Sequence, residues 1–131
     1  MVLFTTYGQR HVLGAVRADL SDLLHDAATA ALDAPPGRYQ RFVPLDAQDF
    51  PIPPGRSARY TVVEAVLVQG RSVAAKEEFY RRLYDGAAAL GIAAADLEVV
   101  LLEVPAHDVA VRGRSIAATA PSRAPDRARR W

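Results

Sequence analysis

The ten residues Tyr60-Thr61-Val62-Val63-Glu64-Ala65-Val66-Leu67-Val68-Gln69 constrain this chain more than any others. They form a nearly continuous apolar run rich in β-branched side chains, as expected for a strand buried on both faces of a sheet. The run is too short to span a bilayer, which takes about 20 apolar residues. A strand of this kind sits centrally, with neighbours on either side and a layer packed over it. The residues that follow supply part of that surrounding. Ser72 suits a helix N-cap, because its hydroxyl can accept a backbone N–H that lacks a partner within the helix. The reciprocal Glu of a capping box is absent, since the third position after Ser72 is Ala75. A helix from Val73 to Leu90 would bury Val73, Phe79 or Tyr80, Leu83, Ala87 and Leu90 at three-to-four spacing. Gly91 fits the left-handed residue that ends it. Glu98 to Val104 is a second apolar run, stopped by Pro105.

The same order stands earlier in the chain. Val2-Leu3-Phe4-Thr5-Thr6-Tyr7 reads as a strand stopped by Gly8. A helix from about Ala15 to Leu32 keeps Val16, Leu20, Leu23, Leu24, Ala27 and Ala31 on one stripe. Pro35-Pro36-Gly37 closes it. A strand from about Arg38 to Val43 follows, with Tyr39, Arg41 and Val43 facing one way and Gln40 and Phe42 the other. Pro51, Pro53, Pro54 and Gly55 mark a loop between the halves.

The chain therefore reads as α/β (α+β). Two consecutive βαβ units, about 2–44 and 59–104, are joined by loop 45–58 and form a four-stranded sheet with two helices on one face. A late strand or hairpin over 105–116 completes a single domain, 1–116. Residues 117–131, dominated by Ala, Pro, Ser and Arg, read as a basic, disordered tail. No element remains to cover the second sheet face, which predicts that subunits pack there.

Composition narrows the chemistry. The absence of cysteine excludes disulfides, zinc–thiolate sites and a cysteine nucleophile. His11 and His107 stand apart in predicted loops, so no metal site is expected. No Gly-rich phosphate loop or GxSxG elbow occurs. Arg10, His11, Arg17 and Asp19 interrupt the start of the chain where a signal peptide needs an apolar core, so the expected location is cytoplasmic. Residues 112–131 hold six arginines against one aspartate, a net +5, while residues 1–111 hold ten basic and fourteen acidic residues, a net −4. A basic end can bind nucleic acid. The expectation here is a solvated tail, with no nucleic-acid and no membrane partner.

Several short stretches occur together in a telling order: His25-Asp26-Ala27, Pro35-Pro36-Gly37-Arg38-Tyr39-Gln40, Gly55-Arg56-Ser57, and Gly70-Arg71-Ser72 leading to Lys76 and Phe79-Tyr80. Gly91-Ile92 through Asp96-Leu97, and then Gly113-Arg114, complete the set. With these the chain resembles the tautomerase superfamily, and most of all its malonate semialdehyde decarboxylase-like branch of long, fused βαβ chains. The resemblance implies a homotrimer that needs no cofactor, with a pocket at each amino terminus. In that family an amino-terminal proline works through its secondary amine. An apolar pocket lowers the amine's pKa by desolvation and lets it exchange protons near neutrality. Arginines hold the substrate carboxylate.

Carried over residue by residue, the pattern is altered. Val2 stands at the proline position, and no proline precedes Pro35. Gly37 stands at an acidic position. Of two arginines spaced two apart, the first is Gln69 and the second Arg71. The aromatic residues of the late strand are Val109 and Val111. His25 matches a helix-one histidine that serves catalysis in some relatives, and Tyr39 is retained. The implied site is Val2, His25 and Tyr39 for catalysis, with Arg71, Gln69, Val109 and Val111 against the substrate. Each survivor also has a structural reading: Arg71 paired with an acid, His25 hydrogen-bonded on an amphipathic helix, Tyr39 as a packing residue. Glu64, in the central strand, needs a partner such as Arg41 or Arg59.

Two functions fit. One is an atypical cofactor-independent tautomerase or isomerase acting on a small carbonyl or enol substrate. Removal of Met1 would leave a primary amine on Val2, able to accept a proton or form an imine. Valines in place of aromatic residues would widen the pocket and make it more apolar. The alternative is a catalytically silent tautomerase-fold structural or ligand-binding protein, or a subunit beside a proline-bearing partner.

Overall fold

Alternation along two adjacent strands sets the architecture. In β1 (Val2–Gln9) and β3 (Thr61–Val68), every second side chain is buried and the intervening ones are half-buried. Val2, Phe4 and Thr6, with Val63, Ala65 and Leu67, lie beneath the helices. With β2 (Tyr39–Leu45) and β4 (Leu97–Val104), they form one sheet in the order β2-β1-β3-β4. β1 pairs in parallel with β2, and β3 with β4, while β1 and β3 meet antiparallel with Thr5 opposite Glu64. Each parallel pair is bridged by its helix, α1 (Arg10–Leu32) or α2 (Val73–Ala89). The two βαβ units are therefore placed head to tail, so the start of β1 lies beside the end of β3.

The computed structural model describes residues 1–119. A short hairpin, β5 (Ala110–Val111) and β6 (Arg114–Ser115), follows β4 and leads into α3 (Ile116–Thr119). The tail reading began at residue 117; Ala117, Ala118 and Thr119 lie in α3, and residues 120–131 lie outside the described residues. Among the described residues, no helix is long and apolar enough to cross a membrane.

The core lies between the helix pair and one sheet face. Phe4 of β1 and Phe79 of α2 stack with ring centroids 6.0 Å apart. Leu13, Leu20, Leu24 and Leu32 of α1 are fully buried, and trimming one such leucine to alanine costs about 2–5 kcal/mol. The helices approach closely at Gly86, where an added Cβ would stand 2.2 Å from Leu23.

Several elements differ from the sequence reading. α1 begins at Arg10, five residues earlier than predicted, so His11 is helical rather than in a loop. Gly8 reads locally as a stop, but Val12 and Leu13 extend the buried stripe through Gly14 and packing outweighs propensity. A Cβ at Gly8 would lie 3.1 Å from Leu13 Cγ, so glycine gives α1 room to fold back directly from β1. β2 runs through Pro44 to Leu45, which an edge strand permits because a missing N–H there need cost no ladder bond. Val73 was expected in the buried face of α2, but it is 73% exposed. Val73 and Ala74 point outward in the first turn of α2, Ala75 packs partly on the core, and the fully buried residues are Phe79, Leu83 and Ala87. Ser72 caps the helix as expected, its Oγ accepting from Ala75 N at 3.1 Å.

The central strand was expected to be buried on both faces. In the single chain only the helix-covered face is fully buried, because both helices fall on that side. The other face carries Val62, Glu64 and Val66, with Val100 and Leu102 of β4 exposed beside them. Glu64 is met there by the Tyr7 hydroxyl, which donates to it at 3.2 Å. Neither Arg41 nor Arg59 bonds to Glu64; Arg59 instead donates to the Gly91 carbonyl at 2.8 Å, beside the left-handed residue that terminates α2.

Candidate functional site

The antiparallel junction brings four pieces of chain to one end of the sheet: the start of β1, the start of β2, the end of β3 with its following loop, and the β5–β6 hairpin. A cavity of about 490 Å³ opens there, lined by Met1, Pro35, Tyr39, Val111, Arg112, Arg114 and Ile116. Its walls are mostly apolar, and no acidic residue is among the described residues that line it. Tyr39, the first residue of β2, is 44% exposed at this end.

The amino group of Met1 is partly buried. Burial, and then the positive charge of Arg71, lower its ammonium pKa below the ordinary value of 8.0. Removal from water disfavours the cation, and a nearby guanidinium disfavours it further. Val2 places its side chain in the hydrophobic core, 5% exposed, so its potential in chemistry resides in its backbone nitrogen.

The predicted residues separate into three groups. Val2, His25 and Tyr39 line one small void of about 10 Å³ together with Gly37 and Gln40. This is close to the size of a single water molecule, and the Gln40 Oε1 atom is buried there without a hydrogen-bond partner. Tyr39 and Val111 also face the large cavity. Gln69 and Arg71 line a separate hollow of about 340 Å³ with Asp33 and Gly70. Val109 lines none of the three; its carbonyl accepts from Ile116 N at 2.9 Å and helps hold the hairpin.

Arg71 is held from two sides. Its Nε donates to the Leu32 carbonyl at 2.9 Å, and its Nη1 donates to the Val68 carbonyl at 2.8 Å. Leu32 ends α1, where carbonyls lack partners within the helix, and a cation there also complements the helix dipole. The guanidinium thus ties the end of α1 to the end of β3 and still projects its charge onto the amine.

The sequence reading gives no site role to Met1, Pro35, Ile116, Arg112 or Arg114, although Pro35 and Arg114 stand within the stretches that carry the family resemblance. It counts the two arginines only in the positive charge of residues 112–131. They flank Gly113 in the turn of the folded hairpin, and Arg112 itself has a left-handed backbone with φ of 56°. An arginine pair bracketing a glycine between short apolar runs was the available signal.

The corresponding end of the second unit, at the start of β3, is filled. The Ser57 N–H and hydroxyl donate to the Asp96 carboxylate at 2.7 and 2.6 Å. Glu98 accepts from Arg56 and from the Tyr60 hydroxyl, both at 2.6 Å. The hydrogen bond from Ser57 holds Asp96 below its ordinary pKa, and those from Arg56 and Tyr60 do the same for Glu98. Phe50 stacks on Tyr60 with centroids 5.3 Å apart. Among the described residues no cluster of His, Asp and Glu could hold a metal ion.

This arrangement has known counterparts. A family model described as "Tautomerase enzyme" matches residues 37–112. A crystal structure of malonate semialdehyde decarboxylase is 26% identical with a TM-score of 0.79, covering 89% of this chain and 96% of that one. A fused 4-OT, described as a symmetric trimer, is 24% identical with a TM-score of 0.76, covering 91% and 99%. A member of the cis-3-chloroacrylic acid dehalogenase family is 19% identical with a TM-score of 0.72, covering 86% and 81%. The last two likenesses concern the fold alone. With its two βαβ units in one chain and its amino terminus at the open end of the sheet, this protein belongs to the tautomerase superfamily, in the branch of long, fused chains.

Proposed function

We propose that this chain is a cofactor-independent, tautomerase-type isomerase of small carbonyl or enol compounds, with the amino group at the start of β1 as its acid–base group. The observation that carries this reading is a partly buried amine, its ammonium form disfavoured, beside an apolar cavity of about 490 Å³ that Tyr39 also faces. A desolvated amine keeps more of its free-base form near neutral pH than an ordinary one. It can remove a proton next to a carbonyl and return it elsewhere on the resulting enol. The amine so described is that of Met1; removal of Met1 would pass the role to Val2, whose amine is primary where the family's proline amine is secondary. His25 and Tyr39 line the small void beside Val2, which supports a role for them in passing the proton on.

The assembly reading follows from the open sheet face. Tyr7, Glu64, Val100 and Leu102 leave that face unfinished in a single chain, and fused 4-OT chains of this fold are described as trimers. A homotrimer of domains spanning residues 1–116, each burying this face, is the expected state. Light scattering that gives a stable monomer of 14.2 kDa at micromolar concentration refutes it.

A catalytically silent binding protein is the second reading, favoured by the engagement of Arg71 with two backbone carbonyls. One experiment separates the two. Intact-mass analysis identifies which residue carries the free amine, and ketonisation of phenylenolpyruvate is then followed with and without acetylation of that amine. Turnover that disappears on acetylation while the oligomer persists supports the enzyme. No turnover by the processed, unblocked protein on a panel of enols and 2-oxo acids leaves the silent reading.

A further inference from the structure

Among the described residues the large cavity is lined by two cationic side chains, Arg112 and Arg114, beside the amino-terminal residue Met1, and by no aspartate or glutamate. Among the described residues neither arginine's side chain has a hydrogen bond or ion pair, whereas Arg38, Arg56, Arg81 and Arg82 are each paired with a carboxylate. Arg71 has two of its five donors on backbone carbonyls and lies toward a different hollow. The two hairpin arginines are held at the cavity by a turn in which Arg112 adopts a left-handed backbone, a conformation that costs a non-glycine residue energy. Beside them Val111, Ile116 and Pro35 present apolar surface.

From this placement we infer that Arg112 and Arg114 hold the carboxylate of a ligand whose apolar body lies against Val111, Ile116 and Pro35. The chemistry selects that class on two grounds. A guanidinium offers parallel N–H donors that match the two oxygens of a carboxylate. The walls reward burial of hydrocarbon at roughly 25 cal/mol per Å², which a small hydrophilic anion cannot collect. Clustered like charges also raise the local concentration of anions. The inference rests on the proposed reading of this cavity as the reaction site, to which it adds the residues that recognise the anion. It assigns recognition of the anion to the hairpin and leaves Arg71 to brace the end of α1 and to act on the amine.

The test uses ligands that cannot react, so that it does not depend on turnover. Titration of the whole protein with 3-phenylpropionate, with the isosteric neutral 3-phenylpropanol and with inorganic phosphate compares head group and body separately. The acid should bind at least tenfold more tightly than either of the others. Arg112→Gln and Arg114→Gln should each weaken the acid by roughly tenfold to a hundredfold, as expected for a lost charged hydrogen bond, and should leave binding of the alcohol unchanged. Both side chains are exposed on a surface turn, so circular dichroism and light scattering should show the fold and the oligomer intact. Equal binding of acid and alcohol overturns the inference, as does phosphate binding as tight as the acid. Undiminished acid binding by the double variant also overturns it, and dissociation of the oligomer by either substitution assigns these arginines to an interface instead. If the acid binds as described but no enol is turned over, the enzymatic reading fails and this one stands. If neutral enols are turned over as fast as anionic ones, the reverse holds.

Discussion

The start of β1 and the start of β3 are corresponding ends of two similar βαβ units, and they have been finished in opposite ways. At β3 the charges are consumed internally: Asp96 by Ser57, Glu98 by Arg56 and Tyr60, with Phe50 laid over Tyr60. At β1 an amine, Tyr39, Arg112 and Arg114 surround an empty volume of about 490 Å³. The backbone geometry that collects polar groups at a strand start is common to both. Where partners close the set, the result stabilises the fold. Where they are missing, the unspent hydrogen-bonding and charge capacity is available to a ligand. The fold alone therefore does not locate a site; satisfied and unsatisfied polar groups on equivalent frameworks do.

The largest predicted effect is at the open end. If His25 moves a proton, His25→Ala should lower turnover by roughly 10²–10⁴-fold while ligand affinity changes little. An equal loss in both would reduce His25 to packing beside Val2. The closed end should respond in stability instead. Asp96 is 6% exposed and accepts two hydrogen bonds, so Asp96→Ala should cost about 1.5–3 kcal/mol in urea unfolding. Turnover and anion binding should stay as they were. A change in either would mean the two ends are coupled and the contrast is false.

Acid sensitivity sharpens the same contrast. The folded pKa of Asp96 lies below its ordinary value of 3.8. Between the two values the unfolded chain binds more protons, so stability rises with pH there. The Asp96 contribution is complete above 3.8 and is lost as pH falls through the folded value. Stability measured from pH 5 downward should fall less steeply in Asp96→Asn than in the parent, and identical slopes would refute the assignment.

At the open end the sign concerns activity. An amine whose pKa is lowered is deprotonated below its ordinary value of 8.0, so base-dependent turnover should reach its half-maximum below pH 8.0. Arg71→Gln removes a like charge and should move that midpoint upward; a midpoint that does not move, or that falls, removes Arg71 from the amine's environment. The smallest effect lies between the ends. Ser72→Ala loses the cap of α2 and should cost about 1 kcal/mol without altering the pH profile.

Much of this molecule was legible without coordinates. Hydrophobic periodicity and punctuation by Gly and Pro sufficed for the two βαβ units, for the cap at Ser72 and for the left-handed stop at Gly91. These features depend on neighbours a few residues away, and local sequence carries that information. Boundaries were less legible where packing overrode local preference. α1 runs through Gly14 because Val12 and Leu13 are buried, and Val73 is exposed at the start of α2 although its spacing fits the buried stripe.

The site was legible only as a set of positions matched to a family pattern. By itself, the sequence determined that the chain has no amino-terminal proline, no cysteine chemistry, and a strand–helix–strand order given twice. The tertiary structure decided that Val2, His25 and Tyr39 share one small void, and that Arg71 is engaged by Leu32 and Val68. It also decided that Arg112 and Arg114 line the same cavity as Met1, more than a hundred residues away in the chain. The physical reason is that a charge's role depends on which groups reach it through space. Antiparallel pairing of β1 with β3 and the closing hairpin set those distances, and nothing in the local composition around any one of these residues encodes them.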